Sequence, residues 1–223
     1  MLTLALLTAA NLSAMTERAQ RPDWATESVP DTVVALVERA NDTVDDDQRK
    51  DFLVEAERHA RAAVSGHEQD IGRRYALAVV LGLRANSEGG QSKVHAAADM
   101  ATELEAVLAA DASHAGARHM LGRLHAGVRR LNRVTRWIAT NLLGGDELKR
   151  ATWEAAEENL AYAEEHAPGV ADHHFQLALL YRDTGRPELA LQEISHMREF
   201  QARNALEAAV HAEAEEVWSD LSQ

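Results

Sequence analysis

The residues with the clearest chemical potential lie between Ala112 and Gly145. That stretch contains no Asp or Glu and carries six arginines: Arg118, Arg123, Arg129, Arg130, Arg133 and Arg136. The chain around it is acidic, with a formal net charge of -13. A guanidinium is a planar fork that binds two oxygens of a carboxylate or phosphate at once. Arg123, Arg129, Arg130, Arg133 and Arg136, with Trp137 beside them for stacking, therefore form a candidate partner-binding patch. A carboxylate-rich peptide, a phosphate or a lipid headgroup would suit it. The competing reading pairs these arginines with the acidic helix that follows, through Glu154, Glu157, Glu158, Glu164 and Glu165. Exposed pairs of that kind are each worth less than about 1 kcal/mol.

Eleven histidines raise the question of a metal. His173 and His174 are adjacent, so on a helix they diverge by about 100° and do not readily chelate one ion. His114, His119 and His125 follow steps of 5 and 6, unlike the four-residue step of helical zinc pairs. "HEQD" at His67–Asp70 lacks a second histidine at the needed place. The acidic run from Asp42 to Asp51 lacks the mid-loop glycine and the closing glutamate of a calcium loop. It reads as a turn and a helix start, with acids near the positive end of the dipole. No metal and no cofactor is expected. A Gly-rich phosphate loop, a nucleophile elbow and a serine–histidine–acid signature are all missing from the sequence, so the expectation is a protein that is not an enzyme.

Composition narrows the scaffold that must carry these residues. Hydrophobic residues make up 46% but aromatics only 4%, and much of the apolar content is alanine. Alanine is the best helix former, and its small side chain lets helices approach closely. Runs of β-branched residues with period-two alternation are missing. The chain reads as all-α. Its negative charge argues against nucleic-acid binding and against general attraction to anionic membranes. The absence of cysteine removes disulfides and thiol nucleophiles.

The first fourteen residues, MLTLALLTAANLSA, are uncharged and mostly apolar. They are too short to span a bilayer. They read as the apolar region of a secretory signal ending near Ala14, which implies an exported, periplasmic protein. The alternative is a cytoplasmic protein whose start is an ordinary buried helix. Residues 15–30, with Pro22 and Pro30 and no period, read as a linker. Residues 31–223 are expected to form the repeat domain, and no later stretch is apolar enough to cross a membrane.

A repeat appears when spacing is compared instead of identity. Ala56, Ala60 and Ala63 follow steps of 4 and 3. So do Met100, Leu104 and Val107; Ala156, Leu160 and Ala163; and Ala190, Ile194 and Met197. A second pattern, with steps of 1 and 3, follows each of the first three sets after 21 residues: Leu77, Ala78, Leu81; Leu121, Gly122, His125; and Leu177, Ala178, Tyr181. A fixed interval between two face patterns is what a helix–turn–helix unit produces. The last unit has the 34-residue tetratricopeptide period, with Tyr181 between the paired helices, Gly185 in the turn and Ala190 at the crossing.

The expected architecture is a tetratricopeptide-like right-handed superhelix of about four helical hairpins with a C-terminal capping helix. Helices are expected near 31–43, 49–65, 70–84, 92–110, 114–129, 149–166, 171–183, 187–201 and 204–221. Leu206, Val210, Val217 and Leu221 share the inner face of the last. An extra helix near 131–143 interrupts the third hairpin. Val128, Leu131, Val134, Ile138 and Leu142 fall on one face of it, with Arg129, Arg133 and Arg136 opposite. Its apolar face is expected to pack on the array, leaving the arginines toward solvent or a groove.

Gly122–Arg123 within "LGRLH", Leu131–Asn132, "ATNLLGG" from Ala139 to Gly145 and the following "AEEHAPG" resemble the regulator of microtubule dynamics family, in its bacterial type. The resemblance covers roughly residues 50–200. It implies a tetratricopeptide-like domain with an interrupted unit and a noncatalytic binding role. In eukaryotes the family is linked to microtubules and organelle tethering, and one branch binds lipid. Microtubule binding does not carry over to this chain, because an acidic protein is a poor partner for the acidic microtubule surface. Two roles follow as expectations: an adaptor that binds a protein or acidic peptide, or a carrier of lipid or another amphiphile beside the inserted helix.

Overall fold

A computed structural model describes residues 21–143, 145–202 and 205–222. The readings of residues 1–14 and 15–20 fall outside the described residues, as does the side chain of Leu206. Every regular element among the described residues is helical. In chain order they are α1 (Asp31–Asp42), α2 (Asp46–Val64), α3 (Ile71–Ser87), α4 (Gly90–Ala110), α5 (Ala115–Arg130), α6 (Arg133–Asn141), a 3-10 turn (Asp146–Arg150), α7 (Trp153–His166), α8 (Ala171–Asp183), α9 (Pro187–Met197) and α10 (Ala205–Leu221). The chain is all-α, as its composition implies.

Contacts divide it into two compact units that meet in the chain at Ser87 and Glu88. In the first, α1 packs on α2 and α2 on α3. Asp45 begins α2 by accepting the N–H groups of Asp47 and Gln48, the capping role read for the acidic run. The segment before α1 is tied down: Arg21 donates to the carbonyls of Ala25, Thr26 and Val29, and Ser28 donates to Asp70 of the α3 cap. The stretch between the helices expected near 70–84 and 92–110 is itself largely helix. α3 runs on to Ser87 and α4 starts at Gly90, so only Glu88 and Gly89 connect them.

In the second unit α5 pairs with α7, α8 pairs with α9, and α10 lies on α8 and α9. The repeat positions account for the packing within each unit. Ala56, Ala60, Met100, Leu104, Val107, Ala156, Leu160, Ala163, Ala190, Ile194 and Met197 are all buried, as are Leu77, Ala78, Leu81, Leu121, Leu177 and Ala178. Each fully buried leucine contributes about 1.5–3 kcal/mol over its exposed state. Gly122 lets α5 and α7 touch: a Cβ there would lie 2.7 Å from Leu160 Cγ and 3.0 Å from the Ala156 carbonyl. Gly185 sits at φ +74° after α8. The Arg186 N–H reaches Tyr181 O at 2.8 Å and the Gly185 N–H reaches Arg182 O at 3.1 Å. This is a Schellman ending, which needs a left-handed residue, and Pro187 opens α9 in its favoured first position. On α10, Ala214 and Val217 are buried against α8 and α9, with Val210, Trp218 and Leu221 beside them. Arg198 of the α9 end grips Glu215 at 2.7 and 2.6 Å and lies over the Trp218 ring.

Candidate partner-binding site

The inserted helix is present, but it faces the other way from the expectation. Val134, Ile138 and Leu142 are 67%, 37% and 62% exposed, and Leu131 is exposed beside them. The buried side of α6 carries Ala139 and Thr140. The reason is a break in the chain. α5 ends at Arg130, Leu131 and Asn132 are extended, and Asn132 then caps α6 by accepting the Thr135 N–H at 2.8 Å. Residues 128–142 are therefore two helices with a reset phase and do not share one face. Val128 is buried within α5. The Arg136 guanidinium turns inward, donating to the carbonyls of Arg129 and Leu131 at 3.2 and 3.1 Å, where it closes the end of α5.

On the underside, α6 meets the 3-10 turn. Gly145 sits where a Cβ would be 2.8 Å from the Ala139 carbonyl and 2.9 Å from Val94 Cγ1, so only glycine admits this approach. Between these elements lies an open cleft of about 270 Å3, lined by Arg129, Arg133, Arg136, Trp137, Thr140, Asn141, Leu148, Lys149 and Ala151. Lys149 is held by Asp146. Trp137 is 56% exposed at the rim.

The arginines thus part into two groups. Arg123 donates to Asp172 Oδ2 at 3.0 Å, alongside His119 Nε2 at 2.9 Å, while Gln176 donates to the other oxygen at 3.0 Å. Burial alone would raise the Asp172 carboxyl. The His119 hydrogen bond and the Arg123 charge outweigh it and hold the group well below the usual carboxylate range. Arg130 pairs with Asp183. Both acids lie on α8, and neither is among the glutamates of α7. Of those, Glu158 comes within 4.0 Å of Arg118, and Glu157 is gripped through both oxygens by Arg186 at 2.8 Å. Arg129 and Arg133 have no carboxylate partner among the described residues, and the buried Nε of Arg129 has no hydrogen-bond partner at all.

The candidate site is therefore Arg129, Arg133, Arg136 and Trp137 around the cleft, with Arg123 and Arg130 already engaged elsewhere. Lys149 is an additional cation at the rim that the sequence reading missed. Its signal was the short spacing from the paired glycines to the next basic residue. The arrangement presents hydrogen-bond donors and positive charge beside an exposed apolar ridge. No helix among the described residues is long and apolar enough to cross a membrane.

No individual curated protein matches the sequence. The family model described as "Regulator of microtubule dynamics protein 1-3" matches residues 26–222, and the chain belongs to that family.

Proposed function

We propose that this protein is a noncatalytic helical-repeat adaptor that binds an acidic, amphipathic peptide segment of a protein partner. Carboxylates of the partner sit in the cleft against Arg129, Arg133 and Arg136. Its apolar residues lie on the ridge of Leu131, Val134, Ile138 and Leu142, with Trp137 between the two. The observation that carries the reading is the unpartnered state of Arg129 and Arg133 in a chain of net charge -13. Acids are abundant in the chain, yet none among the described residues has taken these two. An outward apolar ridge next to them supports a partner with both kinds of side chain. Family membership supports a binding role in general.

The carrier alternative draws no support from this cleft. It is open and rimmed with guanidinium and ammonium groups, which suits an anionic head and not an acyl chain. Export ahead of residue 15 remains part of the reading, and the N-terminal sequence of the mature protein tests it.

Binding is measured by fluorescence anisotropy with a labelled acidic amphipathic peptide. Arg129→Glu together with Arg133→Glu should weaken binding more than tenfold and leave thermal stability within a degree or so of wild type. Unchanged affinity would overturn the site, and collapse of the fold would make the arginines structural. Lipid copurifying with the protein, detected by native mass spectrometry, would reinstate the carrier.

A further inference from the structure

The hairpin of α8 and α9 holds a second cluster, unrelated to the arginine cleft. His174 projects from α8 and is only 3% exposed. Glu193 and His196 face it from α9, one turn apart. The ligand-capable atoms of the three all lie within 4.8 Å of one another. We propose that His174, Glu193 and His196 form a binding site for a divalent transition metal, with Zn2+ the best-fitting ion.

Three features carry this. First, the spacing within α9 is Glu-x-x-His, which places both side chains on one helical face. Inward-facing Glu-x-x-His pairs supply metal ligands in helical bundles. Second, the His174 ring is already oriented as a ligand. Its Nε2 donates to the Pro168 carbonyl at 3.1 Å, and Phe200 stacks on the ring at 5.5 Å between centroids. That leaves Nδ1 directed at Glu193, 2.9 Å from Oε2. A metal-bound imidazole characteristically donates its other N–H to a backbone carbonyl in this way, which fixes its tautomer and direction. Third, two imidazoles and one carboxylate leave a fourth position for water. This donor set matches Zn2+, whereas Ca2+ and Mg2+ demand shells of oxygen.

Zinc bonds of about 2.0–2.2 Å place tetrahedral ligand atoms roughly 3.3 Å apart. The His174–Glu193 pair is already closer than this, so the ion enters by displacing their hydrogen bond. Rotation of the His196 side chain closes the remaining separation. Glu164 of α7, 3.8 Å from His174 Nε2, adds negative charge nearby. Bound metal would pin α8 to α9 beneath the capping helix, adding stability to the C-terminal end of the unit.

The test uses the full chain after chelator treatment. Isothermal titration with ZnCl2 should show one site of micromolar affinity or tighter. Co2+ should give the intense visible bands of four-coordinate cobalt, and Zn2+ should raise the melting temperature. His196→Ala should weaken Zn2+ binding at least tenfold and abolish the cobalt bands. It should lower the metal-free melting temperature only slightly, because that ring makes no hydrogen bond among the described residues and meets the His174 ring only edge-on, at 5.9 Å between centroids. Glu193→Gln should weaken binding as well, and His67→Ala, at an exposed histidine of the first unit, should not. Absence of Zn2+ binding, or equal affinity in wild type and His196→Ala, would overturn the proposal. Weakening by His67→Ala instead would assign the ion to a surface histidine and overturn it equally.

Discussion

At the scale of single residues, similar side chains have different fates because their surroundings differ. Arg130 and Arg129 are neighbours in sequence, yet Arg130 reaches Asp183 while Arg129 reaches no acid among the described residues. Arg130→Ala should therefore lower stability, by about 1 kcal/mol or less for a partly exposed pair, and leave peptide affinity intact. Arg133→Ala should do the reverse. Urea midpoints and peptide anisotropy on both variants separate the two roles, and matching effects in the two assays would contradict the division. A second prediction concerns Tyr75, whose phenol is pushed up to about 12 by burial. Its folded value lies above the ordinary value near 10. The stability it contributes is present below pH 10 and is lost as pH rises toward 12. Alkaline titration followed by phenolate absorbance should show a late step coinciding with unfolding. Tyr75→Phe should remove that step, and its persistence would place the late phenolate elsewhere.

At the scale of elements, small residues decide how closely helices lie. Gly122→Ala gains about 1 kcal/mol of helix propensity but forces a Cβ into Leu160 and the Ala156 carbonyl. Overpacking of that kind costs about 1–3 kcal/mol, so the variant should be less stable than wild type. Gly127 lies on the same helix with open space around its Cβ position. Gly127→Ala should stabilise by about 0.4–1 kcal/mol. Opposite signs in thermal denaturation are expected, and two gains would mean that α5 and α7 can separate without loss. The same spacing logic explains what the sequence revealed. Steps of 4 and 3 and a constant 21-residue interval report local helical faces, and Leu104, Leu160 and Leu177 lie at its core positions. The orientation of α6 was not legible, because a two-residue break at Leu131 and Asn132 resets a phase that periodicity treats as continuous. The partners of Arg123 and Arg130 were hidden as well, since Asp172 and Asp183 lie some 50 residues away and approach only once α8 packs beside α5. His174 and His196 were each visible alone. Their meeting follows from the packing of α8 on α9, which buries Ala178 and Ala190 in one cluster, a relation between helices and not within one.

At the scale of the whole molecule, a net charge of -13 opposes the local attraction that the cleft offers an acidic partner. The balance depends on distance. At about 0.01 M salt the Debye length is about 30 Å, comparable with the protein itself, so a carboxylate-rich peptide meets the net negative field. At about 0.1 M it shrinks to about 10 Å, and the peptide then senses mainly the guanidinium groups nearest to it. At still higher salt those short-range attractions are weakened too. Affinity for an acidic amphipathic peptide should therefore rise from about 0.01 M to about 0.1 M NaCl and fall again toward 1 M. Arg129→Glu with Arg133→Glu should abolish the maximum, because only repulsion would then be screened. Steady decline with salt in the wild type would mean that the cleft dominates at every range. Indifference to salt would mean that the apolar ridge alone supplies the binding and that the arginines take no part.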